Sequence, residues 1–196
     1  MVTKRFRWRD VPADLRVQEP GLSGPAARLR AAEPRAGAAR VLAVDGRSGS
    51  GKSTLAVGLA AELGAPIVRL EDLYGGWDGL ADGVDRLVSD VLVPIAGGRR
   101  ALVPRYDWHA GRWAEPVPLD PPAELVVEGV GAGSRSAARY LSVLVWIEAA
   151  ADVRRDRALA RDGDTYRPNW DRWAAQEDAL FARERTAERA DVVVRS

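Results

Sequence analysis

The sequence predicts an α/β fold built on a mostly parallel sheet, and three observations carry that prediction. Short, nearly continuous apolar runs ("RVLAVD", "PIVRL", "ELVVEG", "SVLVWIE", "DVVV") alternate with longer segments of helical spacing. That is the pattern of strands buried on both faces and joined by crossover helices. A glycine- and hydroxyl-rich loop, "GRSGSGKS" (Gly46 to Ser53), links the first run to the first strong helix. One segment interrupts the alternation: "RALVPRYDWHAGRWAEPVPL" (100–119) reads as an irregular β-hairpin turning at Ala110–Gly111.

In chain order, residues 1–21 have no period and two prolines, and read as a loose basic arm ahead of a single domain over 22–196. A short helix is expected over Leu22 to Ala32, ended by Pro34 and Gly37. The first strand is Arg40 to Asp45. The helix after it, Lys52 to Leu63, carries Leu55, Leu59 and Leu63 on one face and stops at Gly64. Pro66 to Leu70 is a second strand. Leu80 to Val93 is amphipathic, with Val84, Leu87, Val88, Val91 and Leu92 on one side, closed by Pro94 and the Gly97–Gly98 pair. After the hairpin come strands at Glu124 to Gly129 and Ser142 to Glu148. A charged helix over about 149–162, within a lid over about 149–168, precedes a helix over about Asn169 to Glu188 and a final strand at Asp191 to Val194.

Composition narrows the function classes. The 196 residues are 46% hydrophobic and 29% charged, which describes a soluble globular protein with one well-buried domain. No apolar run approaches the ~20 residues of a membrane-spanning helix. The N-terminus has no apolar stretch of the secretory type. There is no cysteine, so disulfide and thiolate chemistry are excluded. A cytoplasmic protein is the expectation. The net charge of +1 hides an asymmetry: residues 1–40 hold nine Lys/Arg against four Asp/Glu. A basic arm can bind nucleic acid, but no nucleic-acid motif follows it, and a solvated leader is the expected reading.

Lys52 is one of two lysines in a chain rich in arginine, and its setting explains the choice. Gly46 to Ser53 matches G-x-x-x-x-G-K-[ST] between a predicted strand and a predicted helix. Gly46, Gly49 and Gly51 let successive N–H groups, with those of Ser48, Ser50 and Thr54, turn around phosphate oxygens, and the helix adds its positive end. Lys52 supplies a slim ammonium between β- and γ-phosphates, where a planar guanidinium is too bulky. The Ser53 hydroxyl is placed to ligate Mg²⁺. These residues point to a nucleoside triphosphate as ligand.

A phosphate cradle does not say where the phosphate goes. "LEDLY" follows the second strand at the same sheet edge, and a carboxylate there, Glu71 or Asp72, can take a hydroxyl proton or hold the metal's water. Glu128 ends a buried strand and suits a Mg²⁺-shell or water-orienting role. Arg154, Arg155, Arg157 and Arg161 on the charged helix are candidates to cover the phosphates. Trp77, Trp108, Trp113 and Trp170 fall near the expected cleft, where they can stack on a flat ligand or simply pack the hairpin and core.

Together, "DGRSGSGKST", "EDLY", "YDW" with Arg112, "VVEG" and "RALARD" occur in the order that resembles the uridine/cytidine kinase and nicotinamide riboside kinase group of P-loop kinases, over about residues 40–195. The resemblance implies a P-loop NTPase fold with a five-stranded parallel sheet, ATP and Mg²⁺ as donor system, and a nucleoside-like alcohol as acceptor. It implies that Glu71, with Asp72 beside it, stands where the group has its catalytic aspartate. Tyr74, Tyr106, Asp107 and Arg112 would face the acceptor, Glu128 and Glu71 the metal with Ser53, and Arg157, Arg161 and Arg167 the triphosphate. Two departures stand out. The base position holds Glu rather than Asp, and Gly111 occupies the place of a histidine in the pyrimidine kinases, with His109 two residues earlier. A nucleoside monophosphate or other small-metabolite kinase, with Arg105, Arg112 and Arg135 at the acceptor, and a non-catalytic ATP-binding regulator remain alternatives. No oligomer interface is legible.

Overall fold

The computed structural model describes residues 22–196; the arm at 1–21 and the side chains of Arg161, Asp162, Asp164 and Thr165 lie outside the described residues. The order is α1 (Ser23–Ala31), β1 (Arg40–Asp45), α2 (Lys52–Leu63), β2 (Ile67–Arg69), α3 (Leu80–Arg86), α4 (Val93–Ala96), β3 (Ala101–Asp107), β4 (Arg112–Leu119), β5 (Glu124–Glu128), α5 (Arg135–Ala138), β6 (Val143–Glu148), α6 (Ala151–Tyr166), α7 (Trp170–Glu184), α8 (Thr186–Arg189) and β7 (Val192–Arg195).

Five strands form one sheet in the order β2-β5-β1-β6-β7, every pair parallel. The run Val41–Val44 explains why β1 is central. Leu42 and Val44 pack with Leu29, Leu55 and Leu59 of α1 and α2, while Val41 and Ala43 pack with Leu80, Val84, Leu87 and Leu180 on the opposite face. Each fully buried leucine of these layers contributes about 2 kcal/mol of hydrophobic stabilisation. The hairpin β3–β4 is antiparallel, and its register shifts between Val103 and Arg105, with Pro104 and Pro116 at the irregularity. Proline has no ladder N–H to lose at such a bulge.

Three differences from the sequence expectation have local causes. Pro94 does not end the helix that begins at Leu80: the chain passes through a π-helical stretch, Leu87–Leu92, and continues to Ala96. Proline offers no N–H, and the wider i→i+5 turn, closed by Val93 N–H to the Val88 carbonyl, absorbs the missing bond. The last predicted helix breaks at Arg185, in a left-handed conformation at φ 50°. The charged helix runs on to Tyr166 with a break at Gly163, which has φ 54° and ψ −129°.

The glycines of "GAGSR" (131–135) are packing positions. A Cβ on Gly131, at φ 91°, would lie 2.5 Å from Val84 Cγ2 and 3.2 Å from Leu180 Cδ2. A Cβ on Gly133 would lie 2.5 Å from Leu144 Cδ1. This loop is held rather than loose, and it starts directly after Glu128.

Candidate active site

The loop Gly46–Gly51 leaves the C-terminal end of β1 and enters α2 with Gly51 at φ 94° as N-cap. Lys52, almost fully buried, folds back and donates to the Arg47 carbonyl at 2.9 Å. Asp45, the last residue of β1, is fully buried and accepts from the N–H groups of Gly46 (2.7 Å), Gly131 (3.0 Å) and Gly133 (2.9 Å). One carboxylate thus fastens the start of the loop to the segment after Glu128. Burial pushes the Asp45 carboxyl up to about 6 against those three bonds and Lys52. Sequence reasoning missed Asp45, although a buried acid at a strand end before a glycine is a visible signal.

A cleft of about 680 Å³ opens over the loop. Ser48, Gly49, Lys52 and Ser53 of the loop line it, together with Glu71 and Glu128. Trp77, Tyr106, Trp108, Tyr166 and Trp173 line the far wall with Asp107 and His109. Glu128 is buried, and burial raises its carboxyl; Lys52, a hydrogen bond from the Ser53 hydroxyl and Arg69 work against the rise, while Glu71 adds to it. The Arg69 Nε lies 3.7 Å from a Glu128 oxygen. Hydroxyl and carboxylate oxygens are the hard donors that Mg²⁺ takes. Among the described residues no group of three His, Cys, Asp or Glu could hold a metal alone. The residues therefore fit an ion that arrives with phosphate oxygens, not a standing metal centre.

Neighbouring acids part company here. Glu71 lines the cleft, and its carbonyl accepts from Trp108 Nε1 at 3.1 Å, which pins the hairpin to the turn after β2. Asp72 lines a separate groove between β2 and the hairpin, with Arg69 and Arg105. Its carboxyl is raised by burial, and Arg105 and Arg69 hold it back.

The aromatic wall is continuous. Trp77 stacks on Tyr166 (5.2 Å between centroids, 19°), meets Trp108 edge-on at 5.0 Å, and lies 6.2 Å from Trp173. Tyr106 contacts both Trp108 and Trp113. Trp113 sits further out under the Arg86 guanidinium, and Trp170 packs on Tyr166. Tyr74 is buried and donates to the Val130 carbonyl at 2.8 Å; burial keeps its hydroxyl well above the usual phenol range.

Other sequence candidates take different places. Asp107 accepts from the His109 and Ala110 N–H groups and caps the hairpin turn, which holds its carboxyl below the usual range. Arg112 pairs with Asp107 across the hairpin and is exposed, while Arg105 lines the cleft. Arg157 donates to the Ser196 hydroxyl at 3.0 Å, which donates to the Ser50 carbonyl at 2.9 Å, so it meets the loop from behind. Ser50 is buried, and its own hydroxyl has no hydrogen-bond partner among the described residues. Arg167 is exposed and does not line the cleft, and Thr54 sits in the first turn of α2. The Arg161 side chain is among those not described.

Three residues hold the front of the loop; the sequence marked Arg154 as a candidate to cover the phosphates but gave no such role to Glu177 or Trp173. Glu177 of α7, buried, accepts the Ser48 N–H at 2.9 Å; Trp173 Nε1 donates to Ser48 Oγ at 3.1 Å; and Arg154 Nη1 reaches the Ser48 carbonyl at 3.4 Å. Ser48 is thus engaged by two helices, α7 at its N–H and hydroxyl and α6 at its carbonyl. Gly49 is required where it is, because a Cβ there would strike the Arg154 backbone carbonyl.

No protein-family model matches the chain, and no curated protein does. Among solved structures, a candidate uridine kinase from Bacillus stearothermophilus superposes with a TM-score of 0.64 at 19% identity, over 88% of this chain and 96% of the other. A candidate fructose transport system kinase from Silicibacter sp. TM1040 gives 0.60 at 20% identity, over 88% and 98%. With the parallel sheet and the loop after β1, these likenesses show the P-loop NTPase fold.

Proposed function

We propose that the protein is an ATP- and Mg²⁺-dependent small-molecule kinase that transfers the γ-phosphate to a hydroxyl of a nucleoside-like acceptor. The observation that supports this most strongly is the make-up of one cleft: a phosphate loop with Lys52 and Ser53, two carboxylates, Glu71 and Glu128, and an aromatic wall share it. A wall of this kind suits a flat ring, and the carboxylates share the cleft with it and with the loop.

In this reading the back half of the loop and Lys52 hold the β- and γ-phosphates; Lys52 exchanges its bond to the Arg47 carbonyl for phosphate oxygens. Glu71 accepts the proton of the attacking hydroxyl. Ser53, Glu128 and Glu71 would hold Mg²⁺, which when bound offsets charge on the phosphate oxygens. The walls align the hydroxyl with the phosphorus, since phosphoryl transfer gains mainly from position and charge. Arg154, already at the loop, is a further cation for the developing charge. A monophosphate acceptor would need basic residues at the wall; Arg105 and His109 line it, while Arg112 and Arg135 do not.

The test is coupled ADP release with ATP and Mg²⁺ across nucleosides, nucleoside monophosphates and other small alcohols. Turnover that depends on a nucleoside is expected. A protein that binds ATP but releases ADP with no acceptor in the panel would contradict the kinase reading and leave a nucleotide-binding regulator.

A further inference from the structure

Trp173 touches both halves of the cleft. The polar edge of its indole donates to Ser48 Oγ at 3.1 Å and to Glu177 Oε1 at 3.0 Å, and Glu177 also accepts the Ser48 N–H. Its ring meets Tyr74 edge-on at 5.0 Å and lies 6.2 Å from Trp77, at 61° and 85°. Trp77 in turn carries Trp108 and Tyr166. Trp173 is 5% exposed and Glu177 is 1% exposed, so neither has solvent to retreat into. A shift of the indole therefore moves a hydrogen bond on the phosphate loop and a ring contact on the aromatic wall together. The same helix grips the loop through Arg47, which pairs with Asp178 at 2.6 Å and lies over the Phe181 ring.

We propose that Trp173 is a positioning residue that links the aromatic wall to the phosphate loop through Ser48, so that nucleotide at the loop and acceptor at the wall bind interdependently. The inference rests on the nucleotide-binding part of the function proposed above. A tightly packed indole whose single N–H is shared between Ser48 and Glu177, and whose ring meets Tyr74 and Trp77, transmits displacement instead of absorbing it. Linkage makes the effect reciprocal: nucleotide at the loop changes affinity at the wall by the same factor as a ligand at the wall changes affinity at the loop, and the coupling passes through the packed wall.

Reciprocity allows a test that needs no knowledge of the acceptor. Amide hydrogen exchange of the full chain is followed with and without saturating Mg²⁺·AMP-PNP, with binding measured separately by calorimetry. In the wild type, amides at 74–79 and 105–110 are expected to exchange about fivefold more slowly with nucleotide. In Ser48→Ala and in Trp173→Phe that protection disappears although the loop is saturated, and Ser48→Thr, which keeps the hydroxyl, restores it. If Trp173→Phe does not fold, the Ser48→Ala and Ser48→Thr pair decides. Undiminished protection in Ser48→Ala, or wild-type binding without protection of the wall, overturns the linkage and leaves the nucleotide reading intact. Loss of binding in Ser48→Ala makes Ser48 a phosphate ligand and likewise overturns it. A wild type that binds no AMP-PNP at all fails the nucleotide reading first and this inference with it.

Discussion

Glu71 and Asp72 are adjacent in the chain, yet the 3₁₀ turn at Leu70–Asp72 sends them to different grooves. The sequence left them interchangeable, because choosing between them needs the rotation of a three-residue turn that no periodicity encodes. Glu71→Gln is expected to lower turnover by about 10²–10⁴, with Asp72→Asn within a few-fold of wild type in the same ADP-release assay. The reverse ranking would move the base to Asp72. Lys52→Met should cost about 10²–10³ in turnover, with circular dichroism unchanged. Asp45 gives a prediction in pH. Its carboxyl titrates near 6 in the fold against 3.8 for an ordinary aspartate, so the native state holds the extra proton between those values. Stability from this group is present in full below about pH 4 and is lost as pH rises through about 6, a swing of roughly 3 kcal/mol. Urea melts of wild type and Asp45→Asn at pH 4.5 and 7.5 should therefore diverge in slope with pH; parallel profiles would mean that Asp45 does not titrate there.

At the scale of elements, the strands and the two helices flanking the phosphate loop were legible. Val41–Val44 and Leu55, Leu59 and Leu63 follow the burial that a two-faced sheet requires, and α2 runs from Lys52 to Leu63 as its spacing predicts. What was not legible depends on partners far along the chain. Pro94 reads as a stop, but the π-helical stretch before it accommodates it within a helix packed on the sheet. The need for glycine at 131 and 133 was also hidden, because sequence does not show Val84, Leu180 or Leu144 closing around them. Gly131→Ala adds both a clash and a left-handed alanine, and should cost about 2–3 kcal/mol, or roughly 5–10 °C in Tm. An unchanged melting temperature would show that the loop yields. Helix α7 gave an apolar side in sequence, but its hold on Ser48 comes from Glu177 and Trp173 reaching a loop more than a hundred residues earlier.

Across the whole molecule, the strand order sets β1 between β5 and β6, so the ends of β1 and β5 deliver the phosphate loop and Glu128 to one edge of the sheet. In open parallel sheets that edge is where ligands bind. The turn after β2 and the hairpin then bring Glu71, Tyr106 and Trp108 over it. The loop side of this cleft was readable because its motif is contiguous, eight residues in one stretch. The rest of the lining was readable only in part: Glu71, Tyr74, Trp77, Tyr106, Asp107, Trp108 and His109 were singled out in the sequence and line the cleft, but Tyr166 and Trp173 join them from two later segments that it did not mark. Their meeting depends on α6 and α7 packing back across the sheet. The account's central claim is that a phosphate held by the loop passes to an acceptor hydroxyl in this cleft. Its most direct test follows the label from ATP carrying an isotopic γ-phosphate in the presence of a nucleoside panel. The account predicts label on a nucleoside hydroxyl, lost in Glu71→Gln. Label appearing only as inorganic phosphate, or staying on ATP with every acceptor, would contradict it.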